Sequence, residues 1–170
     1  QYLASPNPAS SSDTMDPVSN NTTWFRLYNV MTDLVVLIDK AEEQGAGHYQ
    51  GAAQVLMALN LGMGVDIFGD MPYSEGFNFE TVTPVYDSDE SLYTVILNYL
   101  DEGIANLQGP TTSSLGDDDF LYAGDIDKWI AFAYTLKARY MVHVKDLPSY
   151  DADELLNAVD NGFASNDANA

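Results

Sequence analysis

The sequence predicts an all-α fold of stacked antiparallel helix pairs. Apolar residues recur at spacings of three, four and seven in successive stretches, and no stretch shows the period-two alternation of a half-buried strand. The periodic stretches are also bounded by capping residues or by Gly and Pro. At 170 residues and 46% hydrophobic composition, the chain fits one domain with a sizeable core.

Residues 1–21 are rich in Pro, Ser and Asn and predict an extended arm or long loop. Thr22 or Thr23 then caps a helix whose face carries Trp24, Leu27, Tyr28, Met31, Leu34, Val35 and Ile38, ending near Gly45. From His48 to about Phe68 the chain is apolar on nearly every side, which predicts a buried helix in which Gly51, Gly62 and Gly64 let neighbouring backbones approach. Asp87 and Glu90 form a capping-box pattern ahead of the stripe Leu92, Ile96, Tyr99, Leu100, Ile104 and Leu107, which ends at Gly109-Pro110. Asp125 caps a fourth helix carrying Trp129, Phe132, Ala133, Leu136, Tyr140 and Met141. Asp151 and Glu154 open a short fifth, stopping at Gly162. The helical domain thus covers residues 22–162, with 163–170 as a polar tail. The helix starts do not fall on a clean repeat period, so spacing alone leaves a helical repeat open.

The formal charge of −20 comes from 26 Asp and Glu against six Lys and Arg, and the six cations form no patch in sequence. Nucleic acid and anionic membrane surfaces are therefore not expected as partners. With no cysteine there is no disulfide, thiolate metal site or thiol nucleophile. His48 and His143 lack metal-ligand spacing and are expected to pack or cap. Asp117-Asp118-Asp119, with Asp125 and Asp127, lacks the glycine and glutamate of a calcium loop and predicts a solvated loop plus a helix cap. No nucleophile elbow or phosphate-cradling loop is present, so no catalytic residue, cofactor or metal is assigned. The start at Gln1 has no apolar signal region and the apolar runs fall short of the roughly 20 residues of a membrane span, which predicts either a cytoplasmic chain or a removed targeting segment.

The span from Gly69 to Tyr86 is longer than an ordinary helix connection, and such loops are often functional. Gly69 and Pro72 make "GDMPY" a turn with Tyr73 packed beneath it. In "SEGFNF", Gly76 lends freedom and Phe77, Asn78 and Phe79 present two rings around an amide, a mixture suited to a polyhydroxylated ligand or a partner surface. The alternative is that the rings pin the loop onto the helices. Substitution of Pro72 or Tyr73 is expected to lower stability, and substitution of Phe77 or Phe79 to weaken binding with little loss of stability.

"GDMPY", then "PVYDSDESLYTVILNYLDEGIANL", then "DDFLYAGDIDKWIAFAYTLKARY" resemble, in order and spacing, the SusD/RagB family in its SusD-like branch. With the Trp24 helix the resemblance covers residues 22–145. It implies a tetratricopeptide-like helical fold and a non-catalytic protein that captures oligosaccharides or other nutrients at the outer membrane. It further implies a SusC-like TonB-dependent transporter as partner and a surface lipoprotein whose lipid anchor lies outside this chain. The family's chains are longer, so this one is expected to be an internal piece of the helical half. Tyr134-Thr135 stands where the branch tends to have Asn-Ser, a change of local packing. Asp13-Thr14-Met15 fits an O-glycosylation pattern of such exported proteins. The competing readings are a stand-alone helical adaptor for another protein and an all-α carbohydrate-active enzyme.

Overall fold

The computed structural model describes residues 21–78, 81–148 and 150–165, so the predicted arm and the Asp13-Thr14-Met15 pattern lie outside the described residues. Among the described residues five helices follow one another: α1 (Asn21–Gln44), α2 (Gly47–Phe68), α3 (Asp89–Gln108), α4 (Ile126–His143) and α5 (Ala152–Asn161). Consecutive helices are antiparallel, as side-chain register shows: Gln54 meets Glu102 while Asp66 meets Tyr93, and Asp101 meets Lys137 while Tyr93 meets His143.

α2 is the centre, packed between α1 and α3 and touching α4. Val55, Met57, Ala58 and Leu61 have no exposed surface, which is why its sequence is apolar all round. By length and composition α2 could cross a membrane, contrary to the expectation that no run reaches that size, but the surface a bilayer would cover is mostly buried against the other helices. Of its glycines, Gly51 admits backbone: a Cβ there would lie 2.7 Å from the Gly103 carbonyl oxygen. Gly62 and Gly64 instead make room for the side chains of Tyr140 and Met71, so the expectation of close backbones holds at one of the three.

The α1–α2 turn closes through Gly45 at φ 64°, with the Ala46 N–H donating to the Ala41 carbonyl at 2.8 Å. The α3–α4 connection returns to this turn, where Thr112 donates its N–H to the Gly45 carbonyl (2.9 Å) and its hydroxyl to that of Gln44 (2.8 Å). His48 Nδ1 sits 2.8 Å from the Ser114 hydroxyl in the same clasp. Lys137, only 7% exposed, ties three helices together, with Nζ 2.5 Å from Asp101 on α3 and 2.6 Å from Glu154 on α5. Burial alone would lower its pKa, yet the two carboxylates raise it above the usual lysine value. Asp125 and Asp151 cap α4 and α5 as expected, accepting from the N–H groups of Lys128 and of Asp153 and Glu154.

Candidate functional site

The loop after α2 is fastened from both ends. Gly69, at φ 72°, donates its N–H to the Val65 carbonyl at 2.9 Å and turns the chain out of the helix. Met71 and Asp87 then pair as an isolated antiparallel bridge, with N–H to carbonyl distances of 3.2 and 3.0 Å, and the Met71 side chain is fully buried against Gly64. Asp87 Oδ2 accepts the N–H groups of Tyr73 and Ser74, each at 2.8 Å, and Oδ1 accepts the Ser74 hydroxyl at 2.8 Å. Desolvation pushes the Asp87 carboxyl pKa up, but these donors outweigh it and hold the group below the ordinary carboxylate value. The predicted cap is therefore displaced by one residue, and Ser91, at the third helical position, turns its hydroxyl to the Ser88 carbonyl in place of a box bond. Ser88 caps α3 by accepting the Ser91 N–H at 3.3 Å, because the Asp87 carboxylate is committed to the loop. Asp70 and Glu75 add further ties, accepting the N–H groups of Asp89 (3.0 Å) and Val85 (3.1 Å).

Tyr73 packs as expected, half-buried, with its hydroxyl donating to that of Tyr99 at 2.7 Å. Phe77 is half-buried too: its ring lies edge-on to Tyr73 at 5.6 Å and 6.2 Å from Tyr28, which itself donates to the Pro72 carbonyl at 2.6 Å. Trp24 extends the cluster through Tyr28 (4.9 Å) and Phe68 (5.0 Å). Gly76, expected to lend freedom, serves closeness instead, since a Cβ there would lie 2.5 Å from the Pro72 carbonyl oxygen. Asn78 is exposed, its N–H on the Glu75 carbonyl (3.1 Å) and its own carbonyl accepting from Thr81 (3.0 Å), while Phe79 lies outside the described residues. Sequence reasoning passed over Val82 and Val85, which together with Tyr86 are exposed on the same loop. Isolated valines without a periodic partner carry no signal that would single them out.

This packing changes the expectation for Phe77. Phe77→Ala removes a ring that two tyrosines cover and is expected to cost about 1–2 kcal/mol, with Tyr73→Ala costing about 3 kcal/mol. Urea denaturation of the two variants checks this, and an unshifted midpoint for Phe77→Ala would show that its ring does not hold the loop.

The second ordered loop is built around Asp119. Its carboxylate accepts the Trp129 indole N–H at 2.7 Å and the N–H groups of Leu121 (3.0 Å), Tyr122 (3.3 Å) and Gly124 (3.1 Å). The expectation of a solvated loop holds for Asp117 and Asp118, which are exposed, and fails for Asp119, which is buried because it gathers these donors. A usable signal was present in the sequence: an Asp five residues before a Gly and ten before a Trp that needs an acceptor when buried. The cage holds Phe120 out into solvent at 98% exposure, beside a hollow of about 360 Å³ lined chiefly by Leu37, Leu56, Leu115 and Trp129.

Two more polar groupings lie on the helices. His143 joins Asp66 at 3.0 Å, and the Tyr93 hydroxyl donates to the same oxygen at 2.7 Å. Between α1 and α3 lies a trough of about 420 Å³ floored by Gln50 and Gln54 of α2, and a second hollow of about 280 Å³, lined by α3 and by Tyr73 of the loop, adjoins it at Tyr99 and Glu102.

The sequence matches, over residues 1–170, the SusD-like family described as starch-binding and associating with the outer membrane. The chain belongs to the SusD-like family. A SusD/RagB family protein from Bacteroides thetaiotaomicron is 36% identical, with a TM-score of 0.80, over 96% of this chain and 34% of that one. A chitin-binding SusD homolog from Flavobacterium johnsoniae is 27% identical, with a TM-score of 0.75, over 95% of this chain and 36% of that one. The chain thus spans about a third of the length of these solved structures. No match was found among curated protein sequences. Within this SusD-like chain the three resembling blocks have structural work: "GDMPY" and "PVYDSDES" close on each other through Met71 and Asp87, and "DDFLYAGD" folds around Asp119. At the departure Tyr134-Thr135, the Thr135 hydroxyl accepts the Phe163 N–H at 3.0 Å and anchors the chain just after α5.

Proposed function

We propose that this chain is helical scaffold in a non-catalytic protein that captures glycans or related nutrients at the outer membrane and works with a SusC-like TonB-dependent transporter. The observation that carries the reading is the match of the whole chain to a family described as starch-binding and outer-membrane-associated. The chitin-binding homolog from Flavobacterium johnsoniae supports the same ligand class. The geometry is in keeping with binding: Asp87 and Asp119, the carboxylates most fully engaged by donors, are occupied by N–H and hydroxyl groups of their own loops.

In this reading the whole protein is a surface lipoprotein whose lipid anchor lies outside residues 1–170. Phe77, Asn78 and Phe79 contribute to a ligand or partner surface on the α2–α3 loop, with Val82, Val85 and Tyr86 beside them. Phe120 and Leu121, exposed side by side, offer a second apolar contact point, which is in keeping with docking on the transporter alongside ligand capture.

Two experiments test it. Calorimetry of the full-length protein against starch and chitin oligomers is expected to show binding, and incubation with the same oligomers is expected to leave them uncleaved. Cleavage abolished by one Asp or Glu substitution would favour the enzyme reading. Co-purification from the native cell with a soluble partner, and no glycan binding, would favour the adaptor.

A further inference from the structure

The trough between α1 and α3 has polar groups held at fixed positions. Gln54 on its floor is 3% exposed, donating Nε2 to Glu102 Oε2 at 3.1 Å and accepting the Asn106 side-chain N–H at Oε1 at 2.8 Å. A buried amide partnered at both ends cannot swing, so it sets the Glu102 carboxylate and the Asn106 amide in place. Glu102 uses one of its roughly four lone-pair sites on Gln54, and the others remain open to a ligand. Tyr99 joins the two hollows, held by the Tyr73 hydroxyl at 2.7 Å. Glu42 adds a second carboxylate on the α1 side, and among the described residues no Lys, Arg or His lines either hollow.

We propose that this trough is a glycan subsite that takes neutral or amino-bearing hexose units and turns away uronic-acid and sulfated ones. The proposal rests on the glycan-capture reading and adds the class of sugar. Hexose hydroxyls donate to the carboxylates of Glu42 and Glu102 and exchange hydrogen bonds with the Asn106 and Gln50 amides, while the Tyr99 ring offers an apolar face. An amino group gains further, since an ammonium placed against a carboxylate makes a charge-assisted bond. An anionic sugar meets two carboxylates in a trough without a cation, inside a chain of formal charge −20. The trough, at about 420 Å³, lies within the size range of small-molecule sites.

The test is calorimetry of the full-length protein with hexamers of N-acetylglucosamine, glucosamine and galacturonic acid, at low and physiological salt, beside Glu102→Gln, Glu42→Gln and Asn106→Ala variants checked for unchanged melting temperature. The glucosamine hexamer is expected to bind at least about tenfold tighter than the galacturonate hexamer at low salt, with Glu102→Gln and Glu42→Gln each erasing part of that gap. Asn106→Ala is expected to weaken both glucosamine-based hexamers. Equal binding of the galacturonate hexamer overturns the proposal, as does a tetralysine peptide binding as tightly as the glucosamine hexamer. Glycan binding that none of the three variants changes removes the trough as a site and leaves glycan capture standing. Failure of these hexamers and of starch oligomers alike overturns both.

Discussion

Asp119→Ala is expected to destabilise the protein by about 3–5 kcal/mol, because it strips the acceptor from four donors at once. The Trp129 indole N–H is the costliest of them: Trp129 is 2% exposed, and its partner is the Asp119 carboxylate 2.7 Å away. Asp119→Asn keeps one acceptor oxygen and is expected to lose less, about 1–3 kcal/mol. The same group gives a pH signature. Burial pushes its pKa up, but the indole and the three backbone N–H groups outweigh that and hold it below the ordinary carboxylate value. The unfolded chain therefore takes up this proton first as pH falls. The stabilisation is whole above the unfolded value and is lost as pH drops through the lower folded one. Asp87, held low in the same way, adds a loss of the same sign. Urea titrations at pH 7 and pH 3 should show the wild type losing more stability on acidification than Asp119→Asn does. Equal losses would mean that Asp119 is not the ionised hub of the loop.

How far the sequence reveals this molecule depends on the range of the interaction. Helices α1 to α5 follow from periodicity and from local caps such as Asp125 and Asp151, whose partners lie two or three residues away. The ends of α2 to α5 fall within a residue or two of expectation, whereas α1 already begins at Asn21, which places the expected caps Thr22 and Thr23 inside it. Asp87 was placed on the wrong partner because a capping box and a loop clasp need the same residue type. Only the return of Tyr73 and Ser74 decides between them, 14 and 13 residues distant in sequence. Asp119 was misjudged for a related reason: three consecutive aspartates resemble a solvated run until a Trp on α4 selects one of them. Of the candidate site, the loop and its turn were legible from Gly69 and Pro72, whereas the trough was not. Glu42, Gln54 and Glu102 stand on three different helices, and nothing in their local spacing joins them.

Gly62→Ala is expected to cost on the order of 3 kcal/mol or more, an unusual sum for one added methyl group. A Cβ at position 62 would fall among the Cζ, Oη and Cε1 atoms of Tyr140. That ring has no exposed surface, and burial pushes its phenol up to about 12. It cannot step aside cheaply, because its hydroxyl bonds the Leu59 carbonyl at 3.3 Å and its ring is edge-on to His143 at 5.7 Å. Nor can α2 draw back, since Gly51 is seated against the backbone of Gly103 and Leu107 on α3. The strain therefore belongs to the pair, and removing the ring should release it. Tyr140→Leu alone is expected to lose about 2–4 kcal/mol through the void it leaves. The double variant Gly62→Ala, Tyr140→Leu should fall short of the sum of the two losses by about 1–2 kcal/mol, as the new methyl group enters space the ring has vacated. A double-mutant cycle in urea measures this coupling directly, and strictly additive losses would show that the cost of Gly62→Ala arises somewhere other than the Tyr140 contact.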